Sequence, residues 1–354
     1  MMEYPKFKVT VSCMTYNQAK YITDALNGFT MQQTSFPFIC TIVDDASTDG
    51  EQEVIRRYVE EYFDFSEGSV AYHKETDYAY ITYAQHKTNK NCYFAVLYLK
   101  ENLYLQPQKK DACLKEWRDG IEYKAFCEGD DCWIVPDKLE KQVVFLDEHK
   151  EYVLVHTDFI AQNSNTGKII HNASSKYKIV NGDVFERLFE GCFIRTVTVC
   201  YRNSYFDEEQ VPLPKDTFGG DLYIFYVLAR KGKIFFQNEE TCIYRVLQES
   251  ASHSNSEGKR ILMSRSYKNL DYYIANYYGV ENVLPQLDCK WFKIDLRNCI
   301  ATKDFNGVRK MSLPETGIST NIKILYYCCK SKILMYLLSL LLSVRRRFLS
   351  QRWF

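Results

Sequence analysis

No GxGxxG follows any strand-like stretch of the chain, which excludes the usual dinucleotide-binding oxidoreductases. After the first such stretch the turn reads CMTYNQ, with none of the Gly-rich, Arg- or Lys-bearing phosphate loop expected of a sugar nucleotidyltransferase. The 13 cysteines form no CxxC pair, no Cys/His cluster and no regular framework, so neither a structural zinc site nor a disulfide scaffold is written into their spacing. Repeats and low-complexity segments are missing too. Lys+Arg and Asp+Glu balance at 45 each, which removes a generic polyanion binder, and 46% hydrophobic content removes a disordered chain.

What is present is a chain of 354 residues, enough for one large domain with appendages or for two domains. The odd number of scattered cysteines reads as reduced, mostly buried thiols. Met1 to Lys8 is short and charged, and Phe7 to Cys13 reads as a core strand rather than an export signal, so the expected compartment is the cytosol. Charge is uneven. From Thr316 to Phe354 there are seven basic residues and no acidic one, leaving the body with 38 basic against 45 acidic residues, a net of −7.

Strand-like and helix-like stretches alternate through the first half. Phe7 to Cys13, Phe38 to Val43, Phe94 to Leu99, Tyr123 to Cys127, Tyr152 to His156 and Ile194 to Tyr201 read as strands. Gln18 to Met31, Glu51 to Tyr62, Pro136 to His149 and Asp221 to Arg230 read as helices, with a capping box expected between Thr48 and Glu51. This order predicts an α/β fold with βαβ units and helices on both faces of the sheet. Beyond about residue 255 only helices are expected, Ser256 to Tyr278 being the clearest.

Ligands of open α/β sheets bind beyond the carboxyl ends of the strands, and acidic clusters follow two of the strands. Asp44 and Asp45 follow FICTIV; Glu128, Asp130 and Asp131 follow EYKAFC. Like charges so close call for a cation or for hydrogen-bond donors, and Mg²⁺ or Mn²⁺ with one or two carboxylates and substrate phosphates is the simplest answer; a solvated acidic turn is the rival. With these go MTYN (Met14 to Asn17), VDDASTD (Val43 to Asp49), EGDDCWIVPDKLEKQ (Glu128 to Gln142), IRTVTVCYR (Ile194 to Arg202), GGD (Gly219 to Asp221) and YRV (Tyr244 to Val246). In this order, over roughly residues 5 to 255, they resemble the inverting family 2 glycosyltransferases of GT-A fold.

The resemblance implies a GT-A type, Rossmann-like mixed and mainly parallel sheet with flanking helices. It also implies roles. Tyr16 would contact the nucleotide base and Asp45, with Asp44 beside it, would accept from the base's imide N–H; for Tyr16 a half-buried core position is the alternative. Asp130 would touch the donor ribose and Asp131 would ligate the metal. Asp221 would be the general base that takes the acceptor proton, or else a plain helix N-terminal Asp; Gly220 before it would let backbone and acceptor approach closely. Arg245 would meet phosphate or merely satisfy local carboxylates, and Arg195 and Thr198 would line the sugar pocket or simply pack. Many relatives place a His soon after Tyr-Arg-Val where this chain has Leu247, and His253 is the nearest substitute metal ligand. Trp133 reads as packing below the site, with a sugar platform as the alternative, and His156 as a satisfied core histidine, with a ligand as the alternative. Asn89 to Asp119 reads as an insertion beside the site, shaping the acceptor pocket.

Ile333 to Val344 is an apolar run of 12 residues, about 18 Å as a helix against a hydrocarbon core of about 30 Å, so it should not span a membrane by itself. Lys332, Ser339, Ser343 and Arg346-Arg347 recur at helical spacing as a polar stripe, suiting a helix in the interface of an anionic membrane or one docked on the body. The resulting expectation is a catalytic domain over 1–255, a helical accessory region over 256–320 and a basic apolar helix over 321–354. The protein would be a metal-assisted glycosyltransferase, peripheral at the cytoplasmic face, with a nucleotide-sugar donor (a UDP-sugar favoured), a glycan or lipid-linked acceptor and no nucleic-acid partner. A catalytically degenerate nucleotide- or glycan-binding scaffold is the alternative.

Overall fold

A computed structural model describes residues 5–104, 106, 113–118, 120–207, 212–214, 217, 220–247 and 257–349. Two strand–helix units open the chain, β1 (Val9–Thr15) with α1 (Ile22–Thr30) and β2 (Phe38–Asp44) with α2 (Glu51–Tyr62). A hairpin of β3 (Tyr72–Glu75) and β4 (Ala79–Gln85) leads into β5 (Cys92–Leu99), followed by β6 (Tyr123–Phe126), β7 (Cys132–Trp133) and α3 (Lys138–Glu148). Next come β8 (Tyr152–Asn163), β9 (Ile169–Ile170), α4 (Phe185–Glu190), β10 (Cys200–Arg202), α5 (Asn203–Asp207), α6 (Gly220–Lys231) and β11 (Lys233–Val246). The rest is helical: α7 (Glu257–Tyr277), α8 (Leu284–Thr302), α9 (Phe305–Lys310), α10 (Thr320–Cys329) and α11 (Lys332–Leu349).

One sheet runs β3-β4-β5-β2-β1-β6-β10-β8-β11-β7, with β9 on β8. Its centre, β5-β2-β1-β6, is parallel. Every residue of β2 and β5 is buried, as unbroken apolar sequence in a parallel sheet requires. Val11, Cys40 and Phe94 on one face pack with Leu26 and Phe29 of α1, Ile55 of α2 and Val143 of α3. On the other face Ile39, Val43 and Leu97 pack under Leu103, Leu114, Trp117 and Ile121. The stretch from Asn89 to Asp119 is therefore not simply an insertion: it contains β5, and its Leu103, Leu114 and Trp117 close the core.

Three other expectations change. Ile194 to Tyr201 is not a strand, because Thr196–Thr198 turn in a 3₁₀ helix and only Cys200–Arg202 pair. β11 was not expected; register shifts at Gln237/Glu240 and Glu240/Ile243 break the two-residue period that would have marked it. The Thr48–Glu51 capping box does not form, since Gly50 in the left-handed region (φ 90°) caps α2 and the Glu51 carboxylate turns toward β1.

The helical region shares its core with the sheet. Leu154 and Ile234 join Phe225 and Leu228 of α6, Leu270 and Ile274 of α7, and Leu287 and Trp291 of α8. Fully buried Asp271 accepts from Tyr226 Oη (2.8 Å), Lys290 Nζ (2.6 Å) and Trp291 Nε1 (2.9 Å), so one paired carboxylate pins α6, α7 and α8 together. A smaller cluster of Leu296, Ile300, Val308, Tyr326, Cys329 and Met335 ties α8 to α9, α10 and α11.

Candidate active site

β1 lies between β2 and β6, so strand order reverses at β1 and a crevice opens beyond its carboxyl end. Two turns meet there. Asn17 after β1 (φ 55°) and Ala46 after β2 (φ 61°) adopt the left-handed conformation that side chains disfavour. Hydrogen bonds hold them: Asn17 N–H donates to Ser47 Oγ (2.9 Å) and Thr48 N–H to Asn17 Oδ1 (2.8 Å). At the hub, buried Glu51 accepts from Thr15 Oγ1, from Gln18 N–H (2.9 Å) and from Ser47 Oγ (2.9 Å). Burial raises its pKa even so. No periodicity argument singled out Glu51, which reads in sequence as one more helix-start residue.

Asp44 is fully buried and shapes the turn, its Oδ1 accepting from Ser47 N–H (3.0 Å) and Gln52 Nε2 (2.6 Å). Asp45 Oδ1 accepts from Leu103 N–H (2.6 Å), joining the turn to the segment beneath the sheet. Tyr16 is 47% exposed, which places its ring outside the core at the crevice rim.

The second acidic turn packs on the first. A Cβ on Gly129 would lie 2.6 Å from Gln18 Oε1 and 2.7 Å from Thr15 Cβ, so only glycine lets the Glu128–Asp131 turn sit against the end of β1. Asp131 is buried, and its Oδ1 accepts from Arg245 N–H (2.7 Å) at the end of β11. Burial first, then Asp130 and Glu128, push its pKa well up. Glu128 is raised to about 7 by burial, by Asp130 and, less, by Asp221, against a hydrogen bond from Thr196. Asp130 is raised by burial as well. The Arg245 guanidinium is engaged locally, with Nη2 on Asp24 (2.5 Å), Nη1 on the Asp130 carbonyl (3.0 Å) and its plane over the Tyr21 ring.

Asp221 stands in the first turn of α6, its pKa raised by burial and lowered less by Leu222 N–H and Arg195. Gly220 beside it has nothing within 4 Å of an added Cβ. Arg195 is held by Tyr177 Oη and lies 5.2 Å from the Tyr177 ring centroid and 5.9 Å from that of Tyr244. Tyr267 of α7 feels Asp221 and Arg195 electrostatically, so the helical region reaches this end of the crevice. Sequence periodicity gave no signal for it.

Thr198 does not line a pocket. It is fully buried, its Oγ1 donating to the Arg195 carbonyl (2.6 Å) and its own carbonyl accepting from Gln142 (2.9 Å). Thr196, not singled out by sequence, meets Glu128 instead. Trp133 packs below the site as expected, with Nε1 on the Val197 carbonyl (3.0 Å) and buried Lys138 over its ring. His156 is in the core but not satisfied: its Nε2 has no partner among the described residues, and burial pushes its pKa down to about 3. Gly219 and His253 lie outside the described residues.

Among the described residues no three His, Cys, Asp or Glu side chains converge as a metal cage. Asp130 and Asp131 are nonetheless hard oxygen donors of the kind Mg²⁺ and Mn²⁺ take one or two of when phosphates complete the shell, so the donor set fits such a cation in kind.

No protein-family model matches the chain. Over 255 residues it is 29% identical to uncharacterized proteins of Mycobacterium tuberculosis and Mycobacterium bovis, covering 71% of this chain and 62% of each relative. The matched part is thus under two thirds of those relatives' length. The mannosyltransferase PcManGT from Pyrobaculum calidifontis, in complex with GDP-Man and Mn²⁺, matches with a TM-score of 0.51 at 14% identity, over 95% of this chain and 89% of that one. The fold is GT-A-like. Residues 1–349 of S. aureus TarS, in complex with UDP-GlcNAc, match at a TM-score of 0.48 and 15% identity, over 93% of this chain and 88% of that one. At such identities the GT-A-like likeness is one of fold.

Proposed function

We propose that the chain is an inverting glycosyltransferase that moves a sugar from a nucleoside-diphosphate donor, a UDP-sugar by preference, to a hydroxyl of a glycan or lipid-linked acceptor. The observation that carries this reading is the Glu128–Asp131 turn held on Arg245 at the strand-order reversal of a GT-A-like sheet, with Asp221 near enough to act on Glu128 and Arg195 on Asp221. In the reaction the acceptor oxygen attacks the anomeric carbon, the bond from that carbon to the diphosphate oxygen breaks, and the acceptor proton passes to the Asp221 carboxylate. Burial that raises the Asp221 pKa makes it a stronger base than an ordinary aspartate. Tyr16 offers its exposed ring to the base, and Asp45 fixes the turn on which the base would lie.

Asp130 and Asp131 would hold Mg²⁺ or Mn²⁺, which when bound supplies Lewis-acid stabilisation of the departing diphosphate. The GDP-Man and Mn²⁺ in PcManGT support a nucleotide sugar and a cation of this class. All 13 cysteines are free thiols, in keeping with action in the reducing cytoplasm.

Calorimetry with UDP, dTDP, GDP and CDP, each with Mn²⁺ and again with EDTA, tests the reading without knowledge of the acceptor. Metal-dependent binding of one nucleotide is expected and would narrow the donor to sugars on that carrier. Folded protein that binds none of the four under either condition would overturn the active enzyme and leave a degenerate scaffold, the reading to which Leu247 at the usual His position points.

A further inference from the structure

We propose that α10 and α11 form a docking surface for an anionic lipid membrane. Eight of the twenty exposed large hydrophobic residues of the described chain fall between Ile324 and Leu341, a concentration that scattered surface apolars do not produce.

The orientation of α11 decides the matter. A helix packed on a soluble body turns its leucines inward and its polar residues out. α11 packs on α8 through a narrow side only: Met335 and Ser339 are buried and Leu338 is half-buried, while Ile333 (75% exposed), Leu341 (66%), Leu340 (55%) and Leu337 (52%) face outward. Ser339, expected on a solvated polar stripe, is instead on the docked side. α10 continues the apolar face with Ile324 (56%) and Tyr327 (63%), one helical turn apart. Tyr327 and Tyr336 are both exposed, and such amphipathic rings favour the headgroup level of a bilayer.

Charge selects the occupant. Exposed Lys323 and Lys332 flank the apolar face, and Arg345, Arg346 and Arg347 follow within α11. No acidic residue occurs from Thr316 onward, whereas the rest of the chain is net negative. An anionic surface therefore attracts this end and repels the remainder, which orients the molecule. A second copy would bring like charges together. No single described helix is long and apolar enough to span a membrane; α10 and α11 reach that length and composition only as a pair, and bent by 119° to each other they suit a surface on which both lie. None of this rests on the sheet-end carboxylates.

The test is co-sedimentation of the full chain with vesicles of phosphatidylcholine alone and of phosphatidylcholine with phosphatidylglycerol. Sedimentation with the anionic vesicles that weakens in high salt is expected. L337E/L340E/L341E, altering only outward side chains, should abolish it with an unchanged melting temperature. K323E/K332E should weaken it roughly tenfold or more. Equal sedimentation with both vesicle types, none with either, or full binding by the triple-Glu variant would overturn the proposal. So would a concentration-dependent dimer, seen by light scattering and broken by the same variant, in a protein that ignores vesicles; that result would assign the face to a second copy.

Discussion

On the β1–β2 side of the crevice each carboxylate named above is met by protein donors: Glu51 by Thr15, Gln18 and Ser47, Asp44 by Ser47 and Gln52, Asp45 by Leu103. On the β6–α6 side Glu128, Asp130, Asp131 and Asp221 are all raised by burial, and Glu128 and Asp131 also by their acidic neighbours. The first side is a braced turn whose strain at Asn17 and Ala46 is offset by a hydrogen-bond network that leaves only Asp44 Oδ2 of these carboxylate oxygens buried without a partner among the described residues. The second packs four carboxylates whose burial outweighs the donors they meet. A crevice built this way has a rigid wall for a base and a reactive wall for cation, phosphate and proton chemistry, and each wall can be broken separately.

The largest effect is expected on the reactive wall. Asp221→Asn should lower the turnover rate roughly 10²- to 10⁴-fold while leaving nucleotide affinity unchanged, which steady-state kinetics with calorimetry would separate. Retained turnover would return Asp221 to a helix-terminal role. Next is the seam between the walls, where Gly129→Ala should destabilise by about 1–3 kcal/mol and weaken nucleotide binding, because its Cβ would overlap the end of β1. Gly220→Ala, which meets nothing, is the control for denaturant unfolding of both.

Within the rigid wall, Glu51→Gln should cost about 1–2 kcal/mol, because an amide NH₂ would face donors that the carboxylate now accepts. Donor affinity should fall with little change in turnover once donor saturates; a loss of turnover alone would contradict the division of labour. The smallest effects lie in pH dependence. Glu128, raised from 4.5 to about 7, stays protonated in the folded chain where the unfolded chain has ionised. Its contribution makes the protein more stable as pH falls from about 7 toward 4.5, by up to about 1.4 kcal/mol per unit. His156, lowered from 6.5 to about 3, acts oppositely, its buried neutral form losing stability as pH falls below 6.5. Melting temperatures across pH 5 to 8 should show Glu128→Gln removing the first slope and His156→Leu the second.

The central strands were legible because β2 and β5 bury every residue, and α2 because its apolar spacing is regular. The acidic turns were legible as positions, since they lie at the carboxyl ends of β2 and β6. Their internal division was not: that Asp44 braces while Asp131 stays charge-stressed depends on Ser47, Gln52 and Arg245, the last of them 114 residues away. Thr196 and Thr198 show the same limit, because a 3₁₀ turn in place of the expected strand exchanges which threonine faces the crevice. β11 escaped notice because its bulges erase alternation.

By itself the sequence determined the alternating α/β order, the acidic residues at strand ends and the basic, acid-free tail, since each follows from local periodicity or composition. Only the tertiary structure decided which carboxylates are satisfied, which glycine is obligatory and which face of the last helix looks outward. Those depend on groups far apart in the chain meeting at contact distance, and burial sets their energies only after the whole core has closed.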